Sequence, residues 1–217
     1  MVRKAKSTSK LRVLDGQDDT ALTKGTEVTG TVCTQKEVDI GLDISTSVVG
    51  VCVLEASTGK FLYLGHQKLT KYDSEYDKAD NFSDAWLDKT WKIRKVYIEE
   101  AAKKFSPGFS SADTIMTLGR FNGILSYQIY KWTGVKPVMV NVRSARSKLN
   151  IKIDYKDKTK DTKEKVLEIV IERNPTFPWL THVAKTGKFK GDLVYDKVNC
   201  DMADAYVIAR GGQLLIS

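Results

Sequence analysis

The chain has 217 residues, 41% hydrophobic and 29% charged, and carries 35 Lys and Arg against 27 Asp and Glu for a net charge of +8. That length fits one domain with an appended tail, and the cation excess points to an anionic partner. No apolar run approaches the roughly 18 residues of a membrane span, the basic N-terminus lacks the apolar core of a secretory signal, and Cys33, Cys52 and Cys200, without a CxxC pair, argue against a disulfide framework or a structural zinc site.

Residues 1–36 read as a tail, with Arg3, Lys4, Lys6, Lys10 and Arg12 clustered early and no sustained period after them. Its composition predicts a flexible leader; a basic arm on phosphates is the sharper alternative. Residues 37–217 form the predicted domain. From Val38 to Leu54, two β-branched-rich runs flank Ser45-Thr46-Ser47, the pattern of a hairpin with a buried face. Asp43 ends the first run among apolar neighbours, where an unpartnered charge is costly. Lys60–His66 is a third strand reached through a short turn, so the sheet starts antiparallel. Neither His66 nor His182 belongs to a metal motif. Residues 72–92 read as a loop and a helix containing Trp86 and Trp91, expected as core or dimer contacts.

Val96–Glu100 is a strand ending in acid. After the Ser106-Pro107-Gly108 break, Ser110 or Ser111 is placed to cap a helix over 112–132, with Ile115, Leu118, Leu125 and Ile129 at helical spacing. Gly119 and Gly123 each cost that helix about 1 kcal/mol relative to Ala. Such a cost predicts close approach of another backbone, either the chain's own sheet or a second copy. Lys136–Val142 reads as a strand and 144–149 as a short helix. Cations then dominate to Lys165, and Arg143, Arg146, Lys148, Lys156, Lys158 and Lys160 are the candidate phosphate contacts; the competing reading is a solvated charged loop. A helix from Thr162 to Arg173 follows, then a polar loop over 182–199. The last helix is predicted from Asp201 to Arg210, stopped by Gly211-Gly212. The class is α/β with a mixed sheet flanked by helices.

Asp43, Glu99, Asp201 and Asp204 are the carboxylates this order brings to attention. Asp201 and Asp204 lie one helical turn apart, so both address one point. At 4 Å and an effective dielectric near 20, each close pair repels by about 4 kcal/mol. A cluster of such anions therefore requires cations, and hard oxygen ligands select Mg²⁺ or Mn²⁺. Taken singly, each acid has a plainer reading, as a helix-terminal residue, a solvated strand end or a turn former.

A strand Asp, a second strand Glu and a final helix with acids at i and i+3 resemble the layout of RNase H-like nucleases, and most closely the RuvC-type Holliday junction resolvases. Ile40-Gly41-Leu42-Asp43 resembles the family's first catalytic strand, Ile98-Glu99 its second acidic position, and Asp201-Met202-Ala203-Asp204-Ala205 its final helix. Leu118–Leu125 is similar to a Gly-bearing helix of the family. Asp161–Val166 resembles the segment that supplies a lysine, with Lys163 the matching residue. The resemblance implies an RNase H-like fold and two Mg²⁺ ions (Mn²⁺ as substitute) held by Asp43, Glu99, Asp201 and Asp204. It also implies a homodimer that cuts four-way DNA junctions by paired nicks, leaving 5′-phosphate and 3′-hydroxyl ends. The expected setting is the reducing cytoplasm of a bacterium or a phage-infected cell.

Two departures stand out. The family carries an aromatic residue shortly after the second acid, where this chain has Ala102, with Phe105 as the nearest stand-in. The basic stretch 150–160 and the N-terminal tail look like additions. Rival readings are a flap, branched-DNA or other RNase H-like nuclease, an inactive DNA-binding module and an actin-type ATPase. The last calls for Gly where Ser45 stands and for a second phosphate loop that is absent from the sequence.

Overall fold

The computed structural model describes residues 35–100, 112–157, 159–187 and 189–216. The expectations for residues 1–34, Ala102, Phe105, the Ser110 or Ser111 cap and Lys158 lie outside those residues. In chain order the elements are β1 (Glu37–Ile44), β2 (Val48–Glu55), β3 (Phe61–Lys68), α1 (Glu75–Asp80), β4 (Lys92–Glu99), α2 (Ala112–Thr133), β5 (Val138–Val140), α3 (Val142–Lys148), α4 (Thr162–Arg173), β6 (Thr181–Val183), β7 (Leu193–Tyr195) and α5 (Val198–Leu215). None of the described helices is long and apolar enough to cross a membrane.

Five strands form a mixed sheet in the order β3-β2-β1-β4-β5. The first three are antiparallel, as their short connections require, and β4 and β5 are added in parallel. Ser45 closes the first turn: its hydroxyl donates to the Val48 carbonyl at 2.8 Å and accepts from the Val48 N–H at 3.0 Å.

Successive residues of β1 face opposite layers. Val38, Ile40, Leu42 and Ile44 meet Phe121, Leu125 and Ile129 of α2 on one side. Asp39, Gly41 and Asp43 face α5 on the other, where α3 and α4 complete the layer. Gly41 and Gly50 let α5 lie directly on β1 and β2. A Cβ on Gly41 would stand 2.5 Å from the Ala209 nitrogen and 2.6 Å from the Ala205 oxygen.

Three element assignments need correction, and one open alternative closes. The last helix begins at Val198 and continues through Gly211-Gly212 to Leu215. These glycines do not stop it; they give room to Ala145 of α3 and to the Tyr97 ring, each of which a Cβ would overlap. The helix expected within 72–92 is only α1, closed by a Ser74/Asp77 capping box, and Trp86 and Trp91 lie in the turns after it, packed against the α2-side core. The polar loop at 182–199 contains the strands of a small antiparallel hairpin and the start of α5. Gly119 and Gly123, finally, do not meet the chain's own sheet: nothing stands within 4 Å of a Cβ at either position.

Candidate active site

Three elements bring the acids together at one end of the sheet. Asp43 ends β1 on the α5 face, and Glu99 ends the parallel neighbour β4 on the same face as Tyr97. Asp201 and Asp204 occupy consecutive turns of α5. Gly50, paired with Asp43 across β1 and β2, has the Asp201 carbonyl resting on it, and this contact sets the height of the α5 acids above the sheet. Asp43 and Asp204 are almost fully buried, at 5% and 3% exposure.

Lys163 supplies the counter-charge. It sits in the first turn of α4, whose start is fixed by reciprocal capping: Asp161 accepts from the Glu164 N–H at 2.8 Å, and Glu164 accepts from the Asp161 N–H at 3.1 Å. From there its ammonium reaches Asp201 Oδ1 at 2.8 Å, Asp43 Oδ2 at 3.4 Å and Asp204 Oδ2 at 3.6 Å. Burial pushes the Lys163 ammonium pKa down, but the Asp43 charge, the hydrogen bond to Asp201 and the Asp204 charge outweigh it and leave the value raised.

The acids remain short of positive charge. Burial raises the Asp43 carboxyl well above its ordinary range; Lys163 opposes the rise, and Asp204, Glu99 and Asp201 add to it. Glu99 is raised chiefly by burial, against a hydrogen bond with Asp43 that lowers it. Glu99 therefore stands against Asp43. Both carboxyls are thus raised, first by burial and then by the other acids around them.

Arg146 is not the free surface cation that its place in the basic stretch predicts. Its Nη2 donates to Asp204 Oδ1 at 3.0 Å, and its side chain is only 14% exposed. The two Asp204 oxygens are thus divided between Arg146 of α3 and Lys163 of α4. Lys160 is also engaged, in an ion pair with Glu168. Lys165 is structural: its ammonium donates to the Asp154 carbonyl at 2.7 Å, to the Asp157 carbonyl, and pairs with the Asp157 carboxylate at 3.0 Å. Arg143, Lys148 and Lys156 have no ion pair among the described residues.

One buried charge escaped the sequence reading. Asp39 is fully buried on the α5 face, where it accepts from Arg94 Nε at 2.9 Å and from Gln213 Nε2 at 2.8 Å, with a second bond from Arg94 Nη2. Arg94 is the extra residue where the β1–β4 register shifts, and the shift turns it to this face. The Asp39 carboxylate is fully occupied and stands apart from the Lys163 cluster.

No three Asp, Glu, His or Cys side chains among the described residues are grouped as a metal cage, and the Lys163 ammonium lies within 3.6 Å of three of the acids. The donor set nonetheless fits a hard divalent cation. Four carboxylates face two cationic side chains, and hard carboxylate oxygens are the ligands such an ion takes.

No protein-family model and no curated protein sequence matches the chain. Among solved structures, Thermus thermophilus RuvC in complex with a Holliday junction substrate matches with a TM-score of 0.53 at 13% identity, covering 82% of this chain and 93% of that one. A second T. thermophilus RuvC structure gives 0.50 at 14% identity over the same shares. The five-stranded mixed sheet and its flanking helices are accordingly those of the RNase H-like fold, in the form seen in RuvC structures.

Proposed function

We propose that the protein is a metal-dependent, structure-selective endodeoxyribonuclease that resolves four-way DNA junctions by paired symmetric nicks, leaving 5′-phosphate and 3′-hydroxyl ends. The observation that carries this reading is the meeting of Asp43, Asp201 and Asp204 on one Lys163 ammonium, with Glu99 against Asp43, at the end of the sheet. Asp43, Glu99, Asp201 and Asp204 would hold two Mg²⁺, with Mn²⁺ as substitute. Bound there, the ions supply an activated water and charge neutralisation at the phosphodiester.

The chain's own residues have separable tasks. Arg146 orients Asp204 through Oδ1 and leaves Oδ2 turned to the cluster centre. Lys163 balances the acids before substrate arrives and then moves its charge toward the scissile phosphate, where it stabilises the developing negative charge. Arg143, Lys148 and Lys156 contact flanking phosphates, and Lys160 extends that surface. The RuvC structure that contains a Holliday junction is that of a protein with the same fold, and it supports branched DNA as the substrate here.

One chain has one carboxylate set, whereas two symmetric nicks need two, so the working unit is a homodimer. The α2 face bearing Gly119 and Gly123, open to solvent in the single chain, is the proposed contact. The test is cleavage of matched four-way, flap, duplex and RNA/DNA hybrid substrates with Mg²⁺, with light scattering of the complex. Coupled nicks in a 2:1 complex support the reading. A monomer giving single nicks on flaps replaces it with the flap-nuclease alternative.

A further inference from the structure

Beside the carboxylate cluster, α3 and the segment after it frame a pocket of about 280 Å³, with Arg143, Arg146, Asn150, Lys152 and Tyr155 in its wall. We propose that this pocket takes one nucleotide of the cleaved strand next to the scissile phosphodiester, with its phosphate on Arg143, Arg146 and Lys152 and its base against Tyr155. The proposal rests on the nuclease reading above and assigns a substrate subsite to it.

Charge is the first argument. Three cations line the pocket and no carboxylate does. Arg143 and Lys152 have no ion pair among the described residues. Arg146 commits Nη2 to Asp204, while its buried Nε has no hydrogen-bond partner. The Arg146 guanidinium thus keeps donor capacity beyond its bond to Asp204, and charge-assisted bonds to an anionic oxygen are the strong ones.

Shape and stiffness are the second. The volume lies near the lower end of small-ligand clefts, which start at about 300 Å³, and suits a single nucleotide better than a duplex. The wall is fixed in advance. Asn150 adopts a left-handed conformation with φ 52°, and Arg173 donates to the Leu149 carbonyl at 2.6 Å and to the Asn150 carbonyl at 3.1 Å. Tyr155 presents a ring that is 60% exposed, a surface on which any base stacks irrespective of sequence.

Position is the third. Arg146 both lines the pocket and touches Asp204, so a nucleotide seated there is the immediate neighbour of the reacting group.

The test is a binding cycle in the full chain carrying Asp43→Asn, which slows cleavage beyond the time of the measurement, with Mg²⁺ present. Four-way junctions carry an abasic residue placed, one at a time, at nucleotides on either side of the exchange point. One position should weaken binding by about 5–150-fold, the range of one base–aromatic stack. Tyr155→Ala should weaken binding of the intact junction equally and remove the sensitivity at that position alone; Tyr155→Phe should keep both. A methylphosphonate at the adjacent phosphate should likewise abolish the effect of Arg143→Ala. Losses that multiply independently at every position would overturn the pocket assignment. If junctions bind no tighter than duplex, the resolvase reading fails instead, and the same cycle on a flap substrate decides the pocket by itself.

Discussion

Replacing Gly50 with Ala should disable the site without touching a charged group. A Cβ at Gly50 would lie 2.6 Å from the Asp201 carbonyl carbon and closer still to its oxygen, whereas ordinary contact begins at 3.4 Å. The Asp201 carbonyl oxygen, at 2.1 Å, must therefore retreat by about 1.3 Å to reach ordinary contact, and the N-terminal end of α5 with it, because neither the sheet backbone nor a helix carbonyl can swing aside. Overpacking of this kind costs about 1–3 kcal/mol, roughly 2–12 °C in melting temperature for a chain of this size. The catalytic loss should be larger. Asp201 and Asp204 ride on the displaced turns while Asp43 and Glu99 stay with the sheet, and a misplacement near 1 Å costs about a hundredfold in rate. Single-turnover cleavage of a four-way junction, well below the melting temperature, measures this directly. Gly41→Ala is the control: it meets Ala205 and Ala209 farther along α5, so its rate loss per degree of melting temperature should be smaller. Wild-type cleavage by Gly50→Ala would refute the claim that this contact sets the carboxylate spacing.

Each of Asp43→Asn, Glu99→Gln, Asp201→Asn and Asp204→Asn should lower cleavage about a thousandfold or more, a few kcal/mol of transition-state stabilisation, with junction binding retained in a gel-shift assay; Glu100→Gln should be much milder, and the reverse order would reassign the second acid. Lys163→Ala should reduce turnover far more than affinity, and equal losses would mark it as a phosphate anchor only. The shifts at Asp43 and Glu99 also make the metal-free protein pH-sensitive. Because both carboxyls are raised in the folded state, stability is full below their ordinary range and falls as pH rises through the folded values. Melting in EDTA should therefore show Asp43→Asn gaining on wild type as pH rises toward neutrality, with Mg²⁺ erasing the difference; a constant gap at every pH would mean that Asp43 is not held protonated.

Much of this molecule was legible because its chemistry sits in regular strands and helices. Alternation through Val38–Ile44 separates a wholly apolar face from one carrying Asp43, and the i, i+3 spacing of Asp201 and Asp204 survives any error in the helix ends. The helix end itself was misplaced because Gly211-Gly212 looks the same in a sequence whether it stops a helix or admits a neighbour; only the positions of Ala145 and Tyr97 distinguish the two. Arg146 was read as surface because cations in a charged run usually are, and its partner Asp204 lies 58 residues away. Asp39 had a signal of its own, an acid alternating with Val38 and Ile40 on a buried strand. Its partner Arg94 was hidden, because a register shift on the neighbouring strand leaves no local mark.

The division of Asp204 between Arg146 and Lys163 has a consequence for how such a protein can diversify. The two cations anchor α3 and α4 separately, so the segment between them is held at both ends by the site itself. Arg173 secures its first turn and Lys165 its last. Between those anchors, substitutions or changes in length alter what the protein presents to its substrate without altering the positions of the four acids. On the proposed function, the residues that vary selectivity are then largely separate from the four acids, with Arg146 as the link between them. Exchanging residues 151–157 between related proteins should transfer substrate preference as a unit while leaving the rate on a shared substrate nearly constant.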